Sequence, residues 1–226
     1  MVAYMDKNVG RTVDKLEELG IRKETLILFL GDNGTEVSIR SMVGNQEVPG
    51  EKGSLTRYGT HVPMLVNWPG QIEAGLGLDG PVVPADVFAT IEEVTGAQAR
   101  RPTGNGLLDG ISFLPAVTGR PGRAREWALV EYVLENRGRM YLGKEGRYVL
   151  NGRWKLYDRG VSRRGQSYYK GGQLFDLLHD PLETSPITPD IDTSESAAAR
   201  KAAVAFLHRH PVPKRLLSPG ESPLAN

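Results

Sequence analysis

Asp32 and Asn33, followed by Gly34, are the residues of this chain best placed to do chemistry. A carboxylate beside a carboxamide offers hard oxygen donors, the kind that calcium and magnesium prefer. The same triplet is also ordinary turn chemistry, in which the side chains satisfy their own backbone. Two residues supply about three oxygens, whereas calcium takes roughly 6 to 8 ligands. The pair can therefore be only part of a metal site. The histidines are His61, His179, His208 and His210. No two are spaced four apart as helical zinc ligands would be, and His208 and His210 suit the negative end of a helix. The chain has no cysteine, which excludes disulfides, thiolate metal sites and a cysteine nucleophile within it. No nucleophile elbow supports Ser-His-Asp hydrolysis.

These side chains need elements to hold them. Met5, Val9, Val13, Leu16 and Leu19 recur at three- and four-residue steps among charged residues, which predicts a helix over 5–19. Gly20 supplies its left-handed stop. The unbroken apolar run from Thr25 to Leu30 predicts a strand buried on both faces, in a largely parallel sheet. Asp32 would sit just past the carboxyl end of that strand, where open α/β sheets collect ligands. Residues 35–60 are polar and Gly-rich without a clear period, so a long loop, functional or mobile, is expected. A short strand follows within 62–70. A helix follows over 84–96, with Val87, Ile91 and Val94 on one face and Phe88 beside it. Residues 107–122 read as loop, one helical turn and exit.

The texture changes near residue 125. Short strands are expected at 127–132, at 146–159 with an Asn151-Gly152 turn, and at 172–177. Residues 1–124 and 125–226 are therefore expected to form two domains, the second with an antiparallel sheet. Residues 179–193 read as a Pro- and acid-rich linker. A helix over 194–210, capped by Ser194 or Ser196, precedes a loose tail.

The bulk properties narrow the class. With 226 residues and a net charge of +1, the molecule as a whole is not built to bind a polyanion. No run of 18 apolar residues exists, so no membrane span is expected. The first ten residues lack the pattern of a signal peptide. Residues 137–170 hold ten Lys or Arg against two acids, interleaved with tyrosines and a tryptophan. A sheet with solvated arginines on its outer face explains this better than nucleic-acid binding.

Several stretches resemble the sulfatase family when taken in order. "MVAYMDKNVGRTVDKLEELGIRKETLILFLGDNGTE" resembles its helix and the strand ending in D-N-G. "GEKGSLTRYGTHVPMLVNWPG" resembles its G-x-K-G stretch, V-P strand and W-P-G. "PADVFATIEEVTGA" and "LDGISFLPAVTGRPGRAREWALVEY" resemble the next helix and the passage after it. "NGRWKLYDRG" and "GQLFDLLHDPLETSPI" resemble the family's tail.

The resemblance implies an α/β, alkaline-phosphatase-like mixed sheet flanked by helices, then a smaller α+β domain with a four-stranded antiparallel sheet. It implies hydrolysis of sulfate esters with a formylglycine nucleophile and a calcium ion, magnesium being the alternative. By it, Asp32 and Asn33 correspond to metal ligands, Lys52 to a sulfate-binding lysine, and His61 to a position often occupied by arginine. The C/S-x-P-x-R motif from which formylglycine is made does not occur here. The chain is thus expected to represent the C-terminal half of the family and to be inactive alone. A phosphate or phosphonate monoester hydrolase on the same scaffold, or a non-catalytic anion- or partner-binding remnant, are the alternatives. The expected partners are a sulfate ester, with a sulfated polysaccharide suggested by the basic stretch, and neither nucleic acid nor membrane. The family is usually exported, and no address is legible in this chain.

Overall fold

The computed structural model describes residues 1–97, 109–132, 135–136, 139–140, 146–159, 161–163, 166–169 and 171–211. The tail expected to be loose, beyond Pro211, and the start of the 107–122 segment lie outside them.

Helix α1 spans Val2–Glu18. It closes as the sequence predicts: the Ile21 amide donates to the Leu16 carbonyl, the Gly20 amide donates to Glu17, and Gly20 takes φ 71°. None of its residues is buried. Strand β1 (Ile27–Leu30) pairs antiparallel with β4 (Met64–Asn67), Leu28 opposite Val66. This corrects the expectation of a parallel, doubly buried strand. Leu28, Met64 and Val66 pack on Phe113, Leu114 and Val117, whereas Leu65 is 64% exposed. Within the described residues β1 has one strand partner and one covered face.

The stretch 35–60 is also more ordered than its composition suggests. It contains a hairpin, β2 (Arg40–Val43) and β3 (Gln46–Pro49), and a one-turn helix α2 (Arg57–Thr60). The hairpin turns through Gly44-Asn45, a two-residue turn signature that carries no periodicity. Helix α3 (Pro84–Thr95) ends at a left-handed Gly96. Its inner face carries Val87 and Val94 together with buried Asp86 and Thr90; Ile91 and Phe88 point outward, 47% and 46% exposed. Asp86 is buried because it is fully engaged. It accepts from the amides of Val83 and Ile111 and pairs with Arg125. Helix α4 (Leu114–Val117) is the expected single turn.

The remaining strands are β5 (Ala128–Tyr132), β6 (Glu135–Asn136), β7 (Arg139–Met140), β8 (Gly146–Leu150), β9 (Trp154–Arg159), β10 (Val161–Arg163), β11 (Gln166–Tyr169) and β12 (Leu174–Asp176). Four of them form one antiparallel sheet in the order β12-β9-β8-β5. The β8–β9 turn is held by the Asn151 side chain, whose Oδ1 accepts from the amides of Arg153 and Trp154. One face of this sheet carries Trp127, Val149, Trp154, Leu156 and Leu174, packed on Ala203 and Leu207 of helix α5 (Ser194–Arg209). The other face carries Tyr148, Tyr157 and Phe175, packed on Leu55. Thr193, not Ser194 or Ser196, caps α5: its hydroxyl accepts from the Ser196 amide, and the Ser196 hydroxyl in turn accepts from the Thr193 amide. Residues 179–193 are no loose linker either. Ile187 bridges to Leu174, and Glu183 is buried.

The basic stretch is likewise corrected. Arg147 pairs with Glu131 and Asp158, Arg153 with Asp176 and Glu195, and Lys155 with Glu183. Arg147 and Lys155 are buried, and Tyr148 and Tyr157 are core residues. Two of the ten cations thus serve inside the fold rather than on a solvated face, and a third, Arg153, is half-buried in ion pairs. Tyr141 and the side chains of Tyr168 and Tyr169 lie outside the described residues. No helix among the described residues is long and apolar enough to cross a membrane.

Candidate functional site

Asp32 and Asn33 stand at the carboxyl end of β1, both exposed. The turn chemistry is real at one oxygen: Asp32 Oδ1 accepts from the Asn33 amide at 2.9 Å. The following residues are laced to the segment 52–63. The Gly31 amide donates to Pro63 at 3.0 Å, the Gly34 amide to Gly59 at 3.0 Å, and the Lys52 amide to Thr35 at 2.9 Å. Residues 31–35 are therefore hydrogen-bonded both to Lys52 and to the Gly59–Pro63 stretch, which contains His61. All four sequence-nominated residues, Asp32, Asn33, Lys52 and His61, are exposed on this rim.

Glycine makes the approach possible. A Cβ on Gly34 would stand 2.1 Å from the Tyr58 carbonyl oxygen, and one on Gly59 would stand 2.2 Å from that of Ser54. Both obstacles are backbone, so a side chain at Gly34 must push the two segments apart and one at Gly59 must distort the 54–59 turn.

His61 is oriented by its own helical turn. The Arg57 Nε–H donates to His61 Nδ1 at 3.3 Å. Partial burial, and then the Arg57 guanidinium, hold this imidazole below its usual pKa. A neutral ring whose Nδ1 accepts must carry its proton on Nε2. His61 therefore presents an N–H donor rather than the full cation that arginine would supply.

Asp32 and Asn33 suit a hard divalent cation, but only as part of a coordination shell. No group of three or more His, Cys, Asp or Glu able to hold a metal occurs among the described residues.

Residues 1–97, which hold all four candidate residues, match the sulfatase family model. Human arylsulfatase D is 27% identical over 95% of this chain and 40% of its own length; mouse steryl-sulfatase is 28% identical over 84% and 33%. Over these residues the chain is similar to the sulfatase family. It spans two-fifths or less of the length of these two relatives. Solved structures agree on the fold. A protein in complex with its substrate D-glucosamine-2-N,6-O-disulfate superposes with a TM-score of 0.62 at 19% identity, over 92% of this chain and 38% of its own. A Bacteroides thetaiotaomicron structure titled for the metabolism of multiple glycosaminoglycans gives 0.65 at 20% identity, over 92% and 42%. The fold of this chain is accordingly the mixed α/β, alkaline-phosphatase-like one.

The sequence did not single out the groups behind the rim. The Lys155 ammonium lies 2.6 Å from the Leu55 carbonyl and 2.9 Å from Glu183 Oε1, over the rings of Tyr148 and Tyr157. Burial pushes it down to about 8, against the opposing pull of Glu183. Glu183 also accepts from the Arg57 amide at 2.6 Å and from the Tyr157 hydroxyl at 2.6 Å. One signal was legible. Trp154-Lys155-Leu156-Tyr157 is a strand segment that buries both faces, so its lysine had to find a carboxylate.

Proposed function

We propose that this chain supplies part of a sulfate-ester hydrolase site, in which Asp32 and Asn33 contribute oxygens to a divalent cation and Lys52 and His61 face the sulfate. Calcium is the first choice and magnesium the alternative. The observation that carries this reading is the backbone lacing of residues 31–35 to Lys52 and to the His61 turn, which puts hard oxygen donors, a cation and an N–H donor on one exposed rim. Sulfuryl transfer spreads negative charge over non-bridging oxygens, and preorganised donors aimed at that charge contribute several kcal/mol. Lys52 offers a point charge to one such oxygen, and the Nε2–H of His61 a directed hydrogen bond to another. A bound cation would add Lewis-acid polarisation of the ester. The formylglycine used by the family has no precursor motif in this sequence, so the 226-residue chain alone is inactive.

Sulfated sugars are the proposed substrate class. The support comes from the structural neighbours titled for such compounds. The internal pairing of Arg147, Arg153 and Lys155 leaves less free charge for a polysaccharide than the sequence suggests. A phosphomonoesterase is the weaker reading, since the relatives named above are sulfatases.

Amide resonances of Asp32, Asn33 and Gly34 are expected to shift on titration with calcium, and Asp32→Ala to abolish the shift. A wild-type chain in which these amides ignore millimolar calcium contradicts the metal assignment. Measurable turnover of an aryl sulfate by the pure chain, lost in Asp32→Ala, would overturn the claim of inactivity.

A further inference from the structure

The segment 52–61, which carries Lys52 and His61, has little of its own to fix it. It forms one helical turn, α2, and buries only Leu55 and Gly59. Its anchorage comes from the opposite sheet and from the turn before Ile187. Lys155 Nζ donates to the Leu55 carbonyl at 2.6 Å, and Glu183 accepts from the Arg57 amide at 2.6 Å. The Tyr157 hydroxyl donates to Glu183 Oε2 and lies 3.2 Å from the Leu55 carbonyl. The Tyr148 hydroxyl donates to Thr60 Oγ1 at 2.8 Å, and Arg57 reaches the Leu177 carbonyl at 3.4 Å. Glu183 takes φ 56°, alone among the described non-glycine residues in having a positive φ. A non-glycine residue keeps such a backbone only where its surroundings hold it there.

Two facts set this cluster apart from ordinary core. A buried ion pair is a poor way to gain stability, because desolvation offsets most of the attraction and an apolar pair often does as well. Moreover, both charged groups spend a hydrogen bond on the backbone of the same remote segment, one on an acceptor and one on a donor two residues later. An apolar pair would fill the space but could not grip Leu55 and Arg57.

We propose that Lys155 and Glu183, with Tyr157, are positioning residues that clamp the backbone at Leu55 and Arg57 and so fix where Lys52 and His61 stand. Arg57 extends the clamp, because the residue whose amide Glu183 holds is the one whose guanidinium orients the His61 ring. The clamp itself is independent of the proposed function; its consequence for sulfate binding rests on that reading.

Amide hydrogen exchange on the full 226-residue chain, with inorganic sulfate as the anion probe, tests this. In Lys155→Met/Glu183→Met the amides of residues 55–61 are expected to exchange at least tenfold faster than in the wild type. Those of Val149, Leu156 and Leu174 should stay within about twofold, and Tm should exceed that of Lys155→Met alone. Recovered stability with a released segment is a result that a merely structural pair would not give. Tyr157→Phe, which removes one hydroxyl, should raise exchange at the Arg57 amide by a smaller factor without unfolding the sheet. Unchanged protection of residues 55–61 in both variants, or equal loss over segment and sheet in both, would overturn the clamp. In the wild type, sulfate should shift the resonances of Lys52 and His61. If the segment is released in the variants while wild-type Lys52 and His61 ignore sulfate, the clamp stands and the anion-binding reading falls.

Discussion

The two ends of the described molecule are built on opposite plans. The four-stranded sheet is closed on both faces, by α5 on one and by the Leu55 segment on the other, and Val149, Tyr157 and Leu174 are each 0% exposed. The first region is open. Helix α1 buries no residue, β1 and β4 cover one face only, and Leu30, Leu65, Phe88 and Ile91 lie in solvent. Asp32 and Asn33 belong to the open region, and Lys52 and His61 to the segment that joins it to the sheet. The stable part provides the anchorage, and the candidate residues are exposed beside it. Exposed side chains keep a fixed place where a rigid neighbour supports their backbone.

That contrast can be broken at points of decreasing force. The largest effect is expected in the sheet. Leu174→Ala should cost about 2–5 kcal/mol of unfolding free energy, whereas Leu65→Ala, removing an apolar side chain from the open pair, should stay within about 0.5 kcal/mol. Paired urea melts measure both, and equal losses would show that the open region is as tightly packed as the sheet.

Next comes the ion pair that ties β12 to the β8–β9 turn. The hydrogen bond from Arg153 holds the Asp176 carboxyl down to about 2, from an ordinary 3.8. The folded pKa lies below the unfolded one, so the pair's stability is present above about pH 4 and is lost as pH falls through about 2. Asp176→Asn should therefore cost about 1.5–3 kcal/mol at neutral pH, and the gap between the two proteins should shrink as pH drops below 4. A gap that ignores pH would detach the effect from the charge.

Gly34→Ala attacks the join between residues 31–35 and the segment that carries His61. The added methyl meets the Tyr58 carbonyl, so the two segments must separate at a cost of about 1–3 kcal/mol. Any calcium shift at the Asp32 and Asn33 amides should weaken, while exchange in β8 and β9 stays slow. The smallest effect is expected at the cap of α5, where Thr193→Ala should cost about 1 kcal/mol with no change at the rim.

Much of this architecture was legible in the sequence because local rules dictated it. Gly20 ended α1 and Gly96 ended α3 through left-handed stops, and Asn151-Gly152 turned the β8–β9 hairpin, all without help from distant residues. The candidate residues were nominated on local strings too: the D-N-G turn at the end of an apolar run, and the ordered landmarks around Lys52 and His61. What the sequence hid was tertiary. The outward turn of Phe88 and Ile91 depends on Asp86 and Thr90 being satisfied inside, by Arg125 and by the amides of Ile111 and Phe113. The inward turn of Arg147 and Lys155 depends on carboxylates up to 28 residues away. Composition reads such cations as surface charge. Strand direction was misjudged because an apolar run fixes burial tendency, not the sense of its partner.

The claim on which the account rests is that Asp32, Asn33, Lys52 and His61 share one site, and manganese relaxation measures that most directly. Manganese bound at the Asp32-Asn33 pair should broaden the resonances of Lys52 and His61 and leave those of Val149 and Leu207 sharp, and Asp32→Ala should remove the effect. Broadening centred elsewhere, with Lys52 and His61 untouched, would contradict it.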